Sequence, residues 1–259
     1  METFREMLQK EGPVLGLYVQ SPDPNVAEMA KAAGFDFIRL DDEHILFDYS
    51  QMKEILRVAA LLQLPCQVRV SDLSDITKLL DAGATGIVVP DVNTPDRARA
   101  AVSLTKYHPL GARGVYNLPA PIGRYLTASG YETFDEYVKC ANDIVTLTVQ
   151  IEDVKAATYI DEIMSMPGID MIASGKGDIS QSVGKPGKTD DPEVVEFEKL
   201  LIRKALEHGK TPVMLARSPE YVADMRNAGV KVFTAGPDEL IFFNALKAFV
   251  KNYRQPYNQ

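Results

Sequence analysis

The chain has 259 residues, of which 46% are hydrophobic and 25% charged, and its formal net charge at pH 7 is −8. These proportions are typical of a globular protein. Phosphate binding needs clustered Lys and Arg, and no basic run occurs, so nucleic acids and anionic membranes are poor partners. No apolar run approaches the length of a membrane span.

The N-terminal residues lack the order of a signal peptide, in which basic residues precede an apolar run. The two cysteines, Cys66 and Cys140, provide no disulfide framework, and no Cys-x-x-Cys motif is present. These features lead us to expect a cytoplasmic protein.

Apolar runs of strand length alternate with helical repeats along the first part of the chain. The predicted elements are, in order, a short leading helix at 3–10, a strand at 14–19, a helix from Asn25 to Gly34, a strand at 35–41, a helix over 52–62, a strand at 66–70, a helix over 76–83, a strand at 85–90 and a helix from Pro95 to Lys106.

The alternation is interrupted at 107–143, which holds several Gly and Pro with aromatic residues between them. A connection of that length is usually functional. It then resumes with a strand at 144–152, a helix at 154–164, a strand at 169–173, a Gly- and Lys-rich loop at 175–192, a helix at 193–207, a strand at 212–215, a helix at 219–228, a strand at 230–235 and a final helix from about Pro237.

Eight strands, each followed by a helix, indicate either an open doubly wound sheet or a closed barrel. Eight units in about 250 residues is the number of the (β/α)8 barrel. No Gly-x-Gly-x-x-Gly follows the first strand, which removes the main support for a dinucleotide-binding open sheet. The sequence therefore predicts one (β/α)8 domain over residues 1–259.

Polar side chains collect where four of the predicted strands end. The second strand ends in Asp41-Asp42-Glu43-His44, the third carries Arg69, the fifth ends in Gln150-Ile151-Glu152, and the sixth leads into residues 174–178. A strand-end carboxylate alone is often a helix cap or a salt-bridge partner. Because barrel enzymes keep their active sites at this face, the combination predicts a catalytic site.

Glu152 and Asp178 suit a hard divalent cation, since two carboxylates leave an octahedral ion several positions for water and substrate. The alternative for Asp178 is that it caps a short helix. Gln150 lies on the same strand face as Glu152 and can donate a hydrogen bond to a substrate oxygen.

Arg69 offers a planar, permanently charged fork that suits an enolate or carboxylate oxygen. Its alternative is a structural ion pair with Asp41 or Asp42. Histidine as a residue type can take up and release a proton in the physiological pH range, which makes His44 the natural general base or water activator. The other histidines, His108 and His208, lack such neighbours.

Lys176 could form a Schiff base with a keto acid if its pKa were lowered. Gly175 and Gly177 indicate a mobile loop rather than an apolar wall around it. We rank this route below the metal mechanism and expect Lys176 to contact a phosphate or carboxylate.

With these residues in place, the chain resembles the HpcH/HpaI class II aldolases, metal-dependent pyruvate aldolases that act on 4-hydroxy-2-keto acids. The resemblance runs nearly end to end. The motifs that carry it are Gly34-Phe35-Asp36 leading into Asp41-Asp42-Glu43-His44, Val68-Arg69-Val70, Leu80-Asp81-Ala82-Gly83-Ala84, Arg113-Gly114-Val115, Gln150-Ile151-Glu152 and Gly175 to Ser180.

The resemblance implies a divalent ion (Mg²⁺, Mn²⁺ or Co²⁺) and roles for eight residues. These are Glu152 and Asp178 as metal ligands, His44 as acid/base, Arg69 as enolate stabiliser, Gln150, Gly177 and Asp178 in substrate binding, Asp41 in support of the site, and Asp81 raising the basicity of the histidine from a neighbouring subunit. It also implies a hexamer in which the last helix is exchanged between neighbours.

Two segments depart from the family pattern, residues 175–180 and the stretch after Val115, and both lie at the mouth that would receive the second substrate. The leading hypothesis is thus a metal-dependent lyase that cleaves or forms 4-hydroxy-2-keto acids through a pyruvate enolate, giving pyruvate and an aldehyde. The alternative on the same fold is an enzyme that acts on oxaloacetate. It would either decarboxylate oxaloacetate or condense it with an acyl-CoA as a synthase. A non-catalytic keto-acid sensor and a structural oligomer are alternatives of other classes.

Overall fold

The computed structural model of the chain describes residues 2–116 and 133–254, apart from the side chain of Lys139. Parts of the predicted irregular connection, including Tyr125 and Tyr131, and the residues of the departure after Tyr116 lie outside the described residues.

Strands and helices alternate throughout the described ranges. The strands are β1 (Val14–Val19), β2 (Phe37–Asp41), β3 (Cys66–Arg69), β4 (Gly86–Val89), β5 (Thr146–Ile151), β6 (Met171–Ser174), β7 (Thr211–Leu215) and β8 (Val232–Ala235). The α-helices are α1 (Phe4–Met7), α2 (Asn25–Ala33), α3 (Tyr49–Leu61), α4 (Ile76–Ala82), α5 (Pro95–Thr105), α6 (Phe134–Ile144), α7 (Ile160–Met164), α8 (Lys176–Ser182), α9 (Pro192–Glu207), α10 (Pro219–Asn227) and α11 (Asp238–Arg254). Short 3-10 turns at Leu73–Asp75 and Val154–Tyr159 precede α4 and α7.

The eight strands form a closed parallel barrel in sequence order, in which β1 pairs with both β2 and β8. The strand residues are buried because helices cover the outside of the barrel and side chains fill its inside. The outward positions of the strands are apolar, whereas inward positions of β2, β3 and β5 also carry polar side chains such as Arg39, Gln67 and Gln150. The predicted (β/α)8 fold is therefore confirmed.

The amino-terminal end of the barrel is closed by a small apolar cluster. Phe4 and Met7 of α1 pack there with Val14, Phe37 and Met171, and the rings of Phe4 and Phe37 meet edge to face at 4.9 Å. A Cβ at Gly16 would lie 2.2 Å from the Phe37 ring, so β1 needs glycine at this position. These side chains thus fill the lumen at the amino-terminal end of the barrel.

The main hydrophobic core lies outside the barrel, between its strands and the helices. It includes residues of α3, α5, α7 and α9 that face the sheet, such as Ile55, Ala98, Ile163 and Leu201, which are at most 1% exposed. This layer fixes the strands, and with them the side chains that point into the upper lumen.

The structure differs from the sequence prediction in two segments. The second half of the predicted irregular connection is the helix α6, which begins with a capping box between Thr133 and Glu136. The predicted loop at 175–192 begins with the helix α8, so Lys176 is not in a mobile loop. Its side chain is instead buried, with 7% of its surface exposed.

The last helix, α11, has no buried residue in this chain. It exposes large apolar side chains, among them Phe242, Phe243 and Phe249. Within the described ranges, no helix has the length and apolar character needed to cross a membrane.

Candidate active site

A cavity of about 320 Å³ opens at the carboxyl ends of the barrel strands. Its lining includes five of the eight residues that the sequence predicted for the site: His44, Arg69, Gln150, Gly177 and Asp178. They come from the ends of β2, β3, β5 and β6, which barrel closure brings together. Cavities of this size accommodate small metabolites.

Asp41 is fully buried beneath Arg69 and orients it. The Arg69 guanidinium contacts Asp41 Oδ1 through Nη2 at 2.8 Å and Nε at 3.0 Å. Burial alone would raise the pKa of Asp41, but the charge and hydrogen bonds of Arg69 outweigh it and lower this pKa. The ion pair foreseen as an alternative is present, and it leaves other N–H groups of Arg69 facing the cavity.

Glu43, which the sequence analysis did not assign to the site, is the second carboxylate on Arg69. Its Oε2 lies 2.9 Å from Arg69 Nη1 and 3.8 Å from His44 Nε2. Burial raises the pKa of Glu43 despite the nearby guanidinium. The signal for it was its position beside His44 in the acidic run that follows β2, at the end of the barrel where the site lies.

His44 lies at the rim of the cavity, with 60% of its side-chain surface exposed. Its backbone N–H donates to Asp41 Oδ1 at 3.4 Å, which fixes the turn that carries it. An exposed imidazole beside a carboxylate can exchange protons with solvent and with a molecule in the cavity.

Glu152 is 6% exposed and lies behind Gln150. Gln150 Nε2 donates a short hydrogen bond to Glu152 Oε1, and the backbone N–H of Asp91 donates to Oε2 at 2.7 Å. Burial raises the pKa of Glu152, the two hydrogen bonds lower it, and the charges of Glu43 and Asp178 raise it further. The Gln150 amide has a second N–H, and this one would donate the expected hydrogen bond to a substrate oxygen.

Asp178 is the third residue of α8 and is exposed at the cavity. The N-cap of α8 is Gly175, and among the described residues nothing donates a hydrogen bond to the Asp178 carboxylate. The Asp178 side chain therefore does not cap α8, and the alternative role suggested by the sequence is not found.

A metal ion fits this corner of the site. Burial is the main reason that the pKa values of Glu43 and Glu152 are raised, and the charge of Asp178 adds to both shifts. Carboxylate oxygens are ligands that Mg²⁺ and Mn²⁺ prefer. A Cβ at Gly175 would lie 2.2 Å from Glu152 Oε1, so glycine makes room for this carboxylate. Within the ranges the structure describes, no group of three or more His, Cys, Asp or Glu is placed to hold a metal, so two protein ligands remain the expectation.

Lys176 is not available as a free amine. Its Nζ lies 3.2 Å from Glu198 Oε2, and both side chains are 7% exposed. Glu198 also accepts hydrogen bonds from Ser174 Oγ at 3.1 Å and Tyr221 OH at 3.3 Å. The carboxylate that Lys176 contacts in the structure belongs to the protein itself, and a contact of Lys176 with a ligand stays a prediction.

Asp81 is the one predicted site residue that the structure places elsewhere in the chain. It lies near the end of α4 and pairs with the buried Arg113 at 2.7 Å, not with His44. The Arg113 guanidinium in turn stacks over Tyr107, 4.7 Å from its centroid.

Comparisons with known proteins agree on one family. The family model for HpcH/HpaI aldolase/citrate lyase matches residues 14–245. A 2-keto-3-deoxy-L-rhamnonate aldolase from Escherichia coli O157:H7 is 31% identical over 245 residues, covering 94% of this chain and 90% of that protein.

The fold comparisons agree as well. The crystal structure of citrate synthase SbnG has a TM-score of 0.88 and 29% identity, and the match covers 99% of both chains. An HpcH/HpaI aldolase from Desulfitobacterium hafniense DCB-2 has a TM-score of 0.88 and 26% identity, covering 98% of this chain and 97% of that one. A citrate lyase beta subunit from M. tuberculosis, complexed with oxaloacetate and magnesium, shares the fold at 14% identity and a TM-score of 0.57.

Proposed function

Because the chain belongs to the HpcH/HpaI aldolase/citrate lyase family and is therefore a carbon–carbon lyase of the aldolase type, we propose that it cleaves or forms 4-hydroxy-2-keto acids through an enolate of pyruvate or a related 2-keto acid. The observation that carries this proposal is the position of Arg69. Asp41 and Glu43 hold its guanidinium at the wall of the cavity that Gln150, His44 and Asp178 also line.

Glu152 and Asp178 would hold a divalent cation, and Glu43 adds negative charge beside them. Such an ion supplies Lewis acidity, which lowers the energy of an enolate oxygen. Gln150 keeps Glu152 oriented through its hydrogen bond, and Gly175 leaves the space that the carboxylate occupies.

Arg69 would stabilise the negative charge that builds on the keto acid, since its orientation is set before substrate arrives. Asp41 serves as the positioning residue for this guanidinium. Gly177 lies open at the cavity, with nothing within 4 Å of the Cβ it lacks, so a substrate can approach its backbone closely.

His44 would move the proton of the second substrate's hydroxyl group. In the cleavage direction it removes this proton as the carbon–carbon bond breaks, and in the synthetic direction it returns the proton to the aldehyde oxygen. The exposed rim position suits this role, because the acceptor enters from solvent past His44.

A second candidate reaction uses oxaloacetate, either by decarboxylation or by condensation with an acyl-CoA. It is favoured by the similarity to citrate synthase SbnG over nearly the whole of both chains. Both reactions would use the same metal ion, Arg69 and enolate. Incubation with pyruvate plus aldehydes, and separately with oxaloacetate plus acetyl-CoA, distinguishes them by product.

We also propose a soluble homo-oligomer whose interface includes α11, because this helix exposes its apolar side chains and buries none of them in its own chain. Asp81 would reach the histidine of a neighbouring subunit only in such an assembly.

The test is exchange of the pyruvate methyl protons with deuterium, followed by NMR. Chelation of the metal or Glu152→Gln should lower the exchange rate by about 100-fold or more, because enolate stabilisation is worth several kcal/mol. Glu28→Gln removes the charge of an exposed glutamate on α2 and should leave exchange unchanged. His44→Ala should slow cleavage of a 4-hydroxy-2-keto acid by about 100- to 10,000-fold.

Exchange that survives chelation and disappears in Lys176→Ala would overturn this mechanism. It would select the Schiff-base route instead.

A further inference from the structure

The lumen below the candidate site contains a buried arginine with no role in the mechanism above. Arg39 points inward from the middle of β2 and is 4% exposed. Its Nε and Nη2 both donate to a single acceptor, Oε1 of Gln67 on β3, at 3.1 and 2.8 Å. Gln67 Nε2 continues the network to Thr146 Oγ1 at 3.3 Å.

Among the residues that the structure describes, no carboxylate forms an ion pair with this cation, although the charge of Asp41 acts on it from a distance. The nearest acidic run is already engaged, since Asp41 and Glu43 both pair with Arg69. Within the described part of the chain, Arg39 makes no ion pair and no further hydrogen bond. Burial lowers the pKa of Arg39 to about 10, so the guanidinium is still charged at neutral pH. An isolated buried charge is costly, and most buried charges in proteins are paired.

The free donors of Arg39 have the geometry of a carboxylate site. Gln67 uses the edge of the guanidinium formed by Nε and Nη2, and the edge formed by Nη1 and Nη2 remains. That edge presents two parallel N–H groups, which match the two oxygens of a carboxylate.

The cavity reaches this position. Arg39 lines it together with Tyr18, Arg69, Ala173 and Thr234. Strand pairing aligns Asp41 with Arg69 and Arg39 with Gln67, so Arg39 lies two residues, or about 6.6 Å, deeper in the barrel than Arg69. A ligand held at the level of Arg69 can extend a second short group to the floor.

We propose that Arg39 forms a carboxylate-binding subsite at the floor of the cavity and selects ligands that carry a second carboxylate. The subsite itself rests on the geometry of Arg39, Gln67 and the cavity. Its consequence for catalysis, a preference for a short dicarboxylic 2-keto acid over pyruvate, rests on the proposed function. Arg39 is then a specificity-determining residue.

The first experiment measures binding and requires no turnover. Succinate and butyrate have the same number of carbons and differ by one carboxylate, so calorimetric titration of the full-length protein with each isolates the effect of that group. Succinate should bind the wild type about 10- to 100-fold more tightly, as expected for charge-assisted hydrogen bonds to one carboxylate. Titrations with and without Mg²⁺ separate the floor subsite from any binding at a metal.

The variant Arg39→Leu/Gln67→Leu replaces both members of the pair with apolar side chains, so that no buried amide is left without its partner. It should bind succinate and butyrate equally. Arg39→Lys keeps the charge but not the fork, and should retain part of the preference. Arg217→Met removes another cation that lines the cavity, and should keep the full preference. If the double variant fails to fold, Arg39→Met provides the same comparison.

Equal binding of the two ligands by the wild type would overturn the subsite, as would a preference that persists without Arg39. The catalytic consequence is measured separately, as the ratio of kcat/KM for oxaloacetate to kcat/KM for pyruvate. This ratio should fall by about tenfold or more in Arg39→Leu/Gln67→Leu and by a smaller factor in Arg39→Lys. If the wild type does not exchange the methyl protons of pyruvate, the proposed function is wrong. The carboxylate subsite at Arg39 would still be supported by tighter binding of succinate than of butyrate.

Discussion

At the scale of single residues, several carboxyl groups at and near the site are partly buried beside other acidic groups, which raises their pKa values. For Asp42, which follows the end of β2, burial and then the neighbouring charge of Asp75 raise the pKa to about 6. Glu43 and Glu152 are shifted in the same direction. Shifted pKa values of this kind cluster at functional sites.

The Asp42 shift predicts a pH dependence of stability. Its pKa is higher in the folded than in the unfolded protein, so the folded state gains stability below the unfolded value of about 4 and loses it as the pH rises through about 6. Asp42→Asn should therefore raise the free energy of unfolding at pH 8 by roughly 1 kcal/mol, allowing for partial solvent screening, and leave it nearly unchanged at pH 4. Urea denaturation at both pH values measures this; equal effects at both would contradict it.

Gly175 gives a second prediction at this scale. A methyl group there would lie 2.2 Å from Glu152 Oε1, so Gly175→Ala must displace the carboxylate. We expect the affinity for Mn²⁺ to fall by about tenfold or more, as for changes that misorient a ligand. Gly177→Ala adds the same atom in open space two residues later, in the first turn of α8, and should change Mn²⁺ affinity far less. Calorimetric titration of both variants decides it.

At the scale of elements, α8 is anchored by one buried ion pair. Lys176 at its start binds Glu198 of α9, and Asp178 follows two residues later. The pair therefore fixes the start of the helix that carries the predicted metal ligand.

Replacing one residue of the Lys176–Glu198 pair should lower the free energy of unfolding more than replacing both. Lys176→Met leaves the Glu198 charge buried and should lower the free energy of unfolding by about 3 kcal/mol. Lys176→Met/Glu198→Met removes both charges and should recover most of that loss. Guanidinium denaturation of the two variants measures the difference. Equal stabilities would contradict the anchoring role.

The helix α11 predicts the oligomeric state. Phe242 and Phe249 are 66% and 59% exposed and lie seven residues apart, on one face of the helix. If this face is an interface, Phe242→Ser/Phe249→Ser should lower the molar mass in light scattering, whereas Asn252→Ser on the same helix should not. A wild-type protein that is monomeric at micromolar concentration would refute the proposed assembly.

At the scale of the whole molecule, the number and order of strands were predictable because short buried segments, apolar at least at every second position, alternate with helical repeats. The family resemblance was predictable from motifs at the strand ends. The helix α6 was missed although Thr133 and Glu136 form a capping box, a signal visible in the sequence. The helix α8 was missed because its first turn, with Gly175 and Gly177, has the composition of a loop.

The partners of buried charges were not predictable. Lys176 pairs with a residue 22 positions away, and Arg39 with one 28 positions away, and only the closed barrel brings them together. Local patterns specify which residues face inward, but the register between strands decides which of them meet. For this reason the sequence placed Arg69 and Glu152 in the site yet assigned nothing to Arg39 and Glu43.

The apolar cluster under α1 has a kinetic consequence. In the described part of the chain, Phe4, Met7 and Phe37 pack together at the lower end of the barrel, so we expect molecules to enter and leave the lumen at the upper rim. Whatever occupies the deepest position must arrive first and depart last. Two-substrate turnover should accordingly follow a compulsory order, with the enolate donor preceding the acceptor, and product-inhibition patterns would record that sequence.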